Sequence, residues 1–256
     1  MYRPRIIPVL LLRNKGLVKS VKFKDHRYIG DPINAVRIFN DLKADELVFL
    51  DITASHEKRI ASLEVIKNVG EEANMPFSVG GGICTLEQIR CILEAGAEKV
   101  ILNTIAIENP DFVSQAADAF GSSTIAVCID IKKNLWGTNE VCYYSGNRKS
   151  KLKPVEWAKE LAKLGAGEII VQSIDRDGTM QGYDIKLVKE IAESVKIPIV
   201  ALGGAGNLKH MQEINNQVSL NALAAGSMFV YHGPRKAVLV NYPTKEEISS
   251  IFVSQI

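Results

Sequence analysis

Two stretches of this chain repeat at one spacing. Glu46-Leu-Val-Phe49 resembles Glu168-Ile-Ile-Val171, and Pro76, leading into Gly81-Gly82, returns as Pro198, leading into Gly203-Gly204; both counterparts lie 122 positions further on. Arg5-Ile-Ile-Pro-Val-Leu-Leu-Leu12 resembles Thr124-Ile-Ala-Val-Cys-Ile-Asp-Ile131 in the same way. A period this long means that one half of the chain copies the other, not that short units stack into a solenoid.

Each half alternates short apolar runs with amphipathic stretches. The runs predict strands at Arg5–Leu12, Glu46–Asp51, Phe77–Val79, Val100–Asn103, Thr124–Asp130, Glu168–Ser173, Ile199–Leu202 and Ala222–Ala225. Several are apolar throughout, as strands covered on both faces must be. Helix starts are marked by Asp31-Pro32 and Asn109-Pro110, by capping boxes at Thr85 to Gln88 and Thr244 to Glu247, and by Asp184 ahead of the stripe Leu187, Val188, Ile191, Val195. Alternating strands and helices imply right-handed crossovers and a parallel sheet. Eight such units in 256 residues predict closure into an α/β (βα)8 TIM barrel built from two duplicated half-barrels. One domain over 1–256 is expected, without a linker.

Composition narrows the function classes. With 31 basic against 29 acidic residues and a net charge of +2, nothing points to nucleic acid or an anionic membrane. No apolar run approaches a membrane span, and Met1 to Pro8 lacks a signal-peptide layout. Cys84, Cys91, Cys128 and Cys142 show no metal-like spacing, so reduced thiols in a cytoplasmic protein, with no metal or cofactor, are expected.

In a closed parallel barrel the C-terminal strand ends line the active site. Gly80-Gly81-Gly82 and Asn103-Thr104 end strands three and four; Gly203-Gly204-Ala205-Gly206 and Ala225-Gly226-Ser227 end strands seven and eight. Glycines let backbone N–H groups approach an anion, and two symmetric clusters predict a phosphate at each end of a ligand. The plainer alternative is that glycine turns the chain after a strand. Asp130 ends strand five and reads as a general acid or base. Asp51, Asp175 and Asp177 are equally readable as loop caps, Asp177-Gly178 being a common turn pair. Aligning the halves sets Leu11 opposite Asp130, and leucine transfers no proton. Arg5, Glu46, Lys99 and Glu168 precede strands at the other mouth; from spacing alone they are solvated rim charges of little energetic value.

Asp45-Glu-Leu-Val-Phe-Leu-Asp-Ile-Thr-Ala-Ser55, Ser78-Val-Gly-Gly-Gly-Ile83, Asn103-Thr104, Glu108-Asn-Pro110, Gly165-Ala-Gly-Glu168, Ser173-Ile-Asp-Arg-Asp-Gly-Thr179, Gly182-Tyr-Asp184 and Gly203-Gly-Ala-Gly206 resemble the cyclase subunit of imidazole glycerol phosphate synthase over nearly the whole chain. The resemblance implies a lyase-type synthase subunit that takes ammonia from a glutaminase docked on the N-terminal face. Ammonia then passes through the barrel to a bisphosphorylated ribulose-type substrate at the C-terminal face. It makes Arg5, Glu46, Lys99 and Glu168 a charged gate, Asp130 a catalytic aspartate and Lys19 a substrate contact. Asp177 joins Asp130 as a catalytic candidate. Gly82, Asn103, Thr104, Gly178, Gly203, Gly204 and Gly226 join Lys19 as phosphate- or substrate-binding candidates.

Departures from the family pattern are as informative. Leu11 stands where the family has its second catalytic aspartate; Val9, Arg13 and Asn14 also differ, Gln172 replaces a threonine and Leu202 a serine. Losing a proton-transfer group costs roughly 10²–10⁴ in rate. Strand one in this form is similar to a paralogous branch linked to surface-polysaccharide synthesis, which implies ammonia delivery for an amidino sugar, with a small phosphorylated or sugar-nucleotide substrate. Three alternatives stay open: a histidine-pathway cyclase in which Asp177 or water replaces the strand-one acid, a non-catalytic ammonia conduit that activates a glutaminase, and a sugar-phosphate isomerase of the same half-barrel ancestry.

Overall fold

The computed structural model describes residues 3–252. Eight parallel strands close on themselves: β1 (Arg5–Arg13), β2 (Leu47–Asp51), β3 (Phe77–Gly80), β4 (Lys99–Leu102), β5 (Ile125–Lys133), β6 (Glu168–Ser173), β7 (Ile199–Leu202) and β8 (Ala222–Ala225). Each pairs with the next, and β8 returns to β1 with Arg5 beside Ala222 and Pro8 beside Ala225. Closure leaves the barrel ladder without an open edge.

Alternation along β1 explains its continuous apolar sequence. Ile6, Leu10 and Leu12 pack outward in the layer shared with the helices. Ile7, Val9 and Leu11 point into the lumen with Val48, Ala126, Cys128, Ile170 and Leu202. Both faces pack among apolar side chains, so the strand does not alternate with polar residues.

The outer layer is α1 (Pro32–Asp41), α2 (Leu63–Glu72), α3 (Leu86–Glu94), α4 (Asp111–Phe120), α5 (Pro154–Lys163), α6 (Ile185–Ala192), α7 (Leu208–Asn215) and α8 (Lys245–Phe252). Most predicted starts have the expected caps. The Asp31 carboxylate accepts the Asn34 N–H at 2.9 Å. Thr85 and Gln88 form a reciprocal capping box, as do Thr244 and Glu247, at 3.2 and 2.8 Å. Asn109 differs. Its side chain makes no cap bond to α4; its carbonyl accepts the Phe112 N–H at 3.0 Å, while Pro110 already has helical torsions. Among the described residues no helix is long and apolar enough to cross a membrane.

β3 runs one residue past its predicted end, to Gly80, and two strands extend into the mouth. β1 continues to Arg13 and β5 to Lys133, because an antiparallel partner takes over the ladder where the barrel neighbours stop. For β1 the partner is Gly16–Val21, itself paired with Lys24–Gly30; for β5 it is Asn139–Tyr143. The two extensions sit at positions related by the repeat and wall the C-terminal mouth.

Candidate functional site

The lowest inward layer is charged. Arg5 bonds the carboxylates of both Glu46 and Glu168. Lys99 Nζ lies 3.2 Å from Glu168 and 3.8 Å from Glu46, and the Ser78 hydroxyl donates to Glu46 at 3.0 Å. Both glutamates are buried. Burial alone would lower the Arg5 pKa, but Glu168 and Glu46 outweigh it and hold it above the ordinary value. Two cations and two anions thus close a neutral ring across the floor, where spacing alone predicted separate rim charges.

Above the ring is a chamber of about 10 Å³ walled by Ile7, Val48, Ala126 and Ile170. That volume suits one water-sized molecule. Val9, Ile101 and Leu202 border both this chamber and a cavity of about 300 Å³ open at the C-terminal face. These three apolar side chains form a neck between the two spaces.

Lys19, Asn103, Asp130, Asp177 and Gly226 all line the upper cavity. Asp130 ends the inward row Ala126, Cys128, Asp130 of β5, and its carboxylate takes the Asn103 amide at 3.3 Å and the Cys128 thiol at 3.5 Å. Burial pushes its pKa up to about 7; the Cys128 bond opposes this, the Asp177 charge adds to it, and the Asn103 bond opposes it. Asp177 is likewise raised by burial, against the pull of Lys19 and hydrogen bonds that include the Ser20 hydroxyl at 3.2 Å. Lys19 bonds the Val9 carbonyl and lies on Gly226, where a Cβ would come within 2.5 Å of its Nζ. Burial lowers its pKa to about 8, partly countered by Asp177. Leu11 lines the same cavity, so its leucine replaces a group facing the pocket. The Gln172 side-chain amide oxygen, Oε1, is buried with no hydrogen-bond partner. A buried acceptor left empty is costly, so it is an available seat for an N–H donor.

Other expected residues lie outside the cavity wall. Gly82, Gly178 and Gly204 are packed closely against backbone: a Cβ would stand 1.8 Å from the Arg59 carbonyl oxygen, 2.2 Å from that of Ser20 and 2.1 Å from that of Gly182. Gly203 abuts the Ser173 carbonyl in the same way. Thr104 begins a short helical turn, and its hydroxyl accepts the Tyr144 N–H at 3.2 Å. These residues seat neighbouring loops against the strand ends. Gly82→Ala, at φ +68°, is therefore expected to cost roughly 2–3 kcal/mol in urea unfolding through backbone strain and the displaced Arg59 carbonyl.

Two of the ambiguous aspartates are tied to local structure. Asp51 caps Thr53 and Ala54 and pairs with Arg59 at 2.6 Å. Asp175 accepts the Lys133 N–H at 2.7 Å. Ser20, His26, His56 and Asn147 also line the cavity. They come from loops and hairpins with no periodic signal, so sequence reasoning had no pattern by which to find them.

The chain matches the family model described as "Histidine biosynthesis protein" over residues 5–234. It is 48% identical over 253 residues, 98% of this chain and all of the relative, to a Leptospira borgpetersenii protein provisionally named imidazole glycerol phosphate synthase subunit HisF. Over 95% of this chain and 97% of the relative it is 46% identical to a Pseudomonas aeruginosa protein provisionally named imidazole glycerol phosphate synthase subunit hisF2. To the imidazole glycerol phosphate synthase subunit HisF of Alkaliphilus metalliredigens it is 44% identical over 91% of this chain and 92% of the relative.

Proposed function

Because this chain belongs to the histidine biosynthesis protein family, as a HisF-like barrel of the imidazole glycerol phosphate synthase type, we propose that it is an ammonia-using synthase subunit specialised away from the histidine pathway. A glutaminase subunit docks on the N-terminal face. Arg5, Glu46, Lys99 and Glu168 gate the floor, and ammonia rises through the apolar neck. A small phosphorylated or sugar-nucleotide acceptor is held at the upper cavity, with amidino-sugar formation for surface polysaccharide as the end use, in the cytoplasm. Lys19, Asn103 and Gly226 contact the acceptor; Gly82, Thr104, Gly178, Gly203 and Gly204 shape the loops that receive its anionic groups. Asp130 and Asp177 are the carboxylates that serve the chemistry.

One observation carries the reading: Leu11 faces the upper cavity at the position related by the repeat to Asp130. A neutral apolar lumen suits ammonia, because ammonium would lose its hydration there. The empty Gln172 acceptor supplies a hydrogen-bond seat where ammonia leaves the neck. A cyclase assay with the histidine-pathway substrate and ammonium salt tests the specialisation. Turnover is expected roughly 10²–10⁴ below that of a family cyclase with aspartate at the strand-one position. Equal turnover, or rescue of a histidine auxotroph lacking its own cyclase, would return the chain to the histidine pathway.

A further inference from the structure

The upper cavity has a carboxylate on the β5 wall and a leucine at the matching place on the β1 wall. A second titratable group nevertheless reaches the β1 wall. Lys19 comes from Gly16–Val21, the strand that folds back along β1 with Val18 opposite Leu11. Its amine bonds the carbonyl of Val9, two residues before Leu11 on the same inward face, and rests on Gly226 at the end of β8. Lys19 is 4% exposed and forms no ion pair among the described residues. A lysine used as a simple counter-charge normally has a carboxylate against it. This one has a neutral carbonyl against it and an open cavity beside it, and Asp177 acts on its charge from beyond ion-pair distance.

We infer that Lys19 is the proton-transfer group of the β1 wall, working opposite Asp130 in the role that Leu11 cannot fill. The inference rests on the upper cavity being the place where ammonia meets its acceptor. The charged and titratable groups around Lys19 fit the assignment. Arg13 on β1 and His26 on Lys24–Gly30 line the cavity toward the mouth, with Asp25 beside His26; Asp51 ends β2 and His56 follows it; Cys128 and Asp130 stand on β5; Asp177 follows β6; and Gly226 and Ser227 follow β8. Asp177, in the turn after β6, is tied to the hairpin that carries Lys19: its side chain accepts from the Ser20 hydroxyl and its carbonyl from the Lys22 N–H, and its charge acts on Lys19 without an ion pair between them. Burial brings Lys19 to about 8 and Asp130 to about 7, which places an acid and a base on either side of neutrality.

With a carbonyl acceptor the step balances. The ammonia lone pair forms the C–N bond while the π pair moves to oxygen. The Lys19 ammonium protonates that oxygen, and the Asp130 carboxylate takes a proton from the new nitrogen. Loss of the hydroxyl as water then uses the proton on Asp130, and the neutral Lys19 amine removes a proton from nitrogen. C=O and NH₃ become C=NH and H₂O, and both side chains return to their starting states.

The test uses the full chain, ammonium salt and the histidine-pathway cyclase substrate as probe, with Lys19 titrated in parallel by NMR on its side-chain carbon. Lys19→Met and Lys19→Arg are both expected to lower kcat roughly a hundredfold and to remove the basic limb of the pH profile, with KM moved far less. Arginine keeps the charge but does not release its proton. Leu11→Asp in the Lys19→Met background is expected to recover at least part of the loss. A Lys19→Arg variant within about threefold of wild type, with the basic limb intact, would reduce Lys19 to a counter-charge. Where the wild type leaves the probe unreacted, the proposed ammonia chemistry fails for that acceptor, and the titration decides for Lys19 alone. A value near 8 that moves in Asp130→Asn supports the pair; an ordinary lysine value above 10 overturns it.

Discussion

Asp130→Asn is expected to lower ammonia-dependent turnover by roughly 10²–10⁴ and, at pH 8, to make the protein more stable. The two effects share one cause. The carboxylate is buried at the top of the lumen and its pKa rises from 3.8 to about 7. For a carboxylate raised in the fold, the protonated form is the favoured one. Its stabilising contribution is complete below about pH 4, fades between pH 4 and 7 and is gone above pH 7, where the ionised group is a net cost. Asparagine removes that cost, a gain on the order of a few kcal/mol above pH 7 and close to none at pH 4. Thermal melts at pH 4.5 and 8, with product yield from the glutaminase-coupled complex, measure both halves. Unchanged coupled yield would mean that ammonia only passes through the barrel to another protein. Unchanged stability at pH 8 would mean that Asp130 ionises without penalty and is not tuned for proton transfer.

Arg5→Met carries the second large effect, at the opposite end. Glu46 and Glu168 have side chains only 4% and 8% exposed, and Arg5 bonds both. Removing one partner of a buried ion pair costs roughly 3–5 kcal/mol, because the remaining charge stays buried. Lys99 still reaches both glutamates, so the lower end of that range is expected in urea unfolding. Either Glu46→Gln or Glu168→Gln alone in the Arg5→Met background should restore much of the loss, since the remaining glutamate is then balanced by Lys99. In the coupled complex the same variant is expected to hydrolyse glutamine while incorporating less of its nitrogen, as a gate function requires. Tight coupling in Arg5→Met would leave the ring a structural closure of the floor.

Much of this protein was legible from its sequence because the relevant physics is local or periodic. Strands buried on both faces must be apolar throughout, so eight runs announced eight strands. A repeat at one spacing announced the two halves, and Thr85 with Gln88 announced a helix start that the fold realises as a reciprocal cap. The likeness of the two halves also sets Leu11 against Asp130 from sequence alone.

What only the tertiary structure decided concerns groups that meet through space. Arg5 and Glu168 are 163 positions apart in the chain, and only barrel closure makes them partners. How closely a strand-end glycine is packed depends on the next loop, and at Gly82 the Arg59 carbonyl occupies the place a Cβ would take. Lys19 reaches the β1 wall because an unforeseen hairpin folds back along β1. Sequence encodes which face a residue takes through its period. It does not encode how far a non-periodic loop reaches, because that is set by the packing of chain segments remote from it.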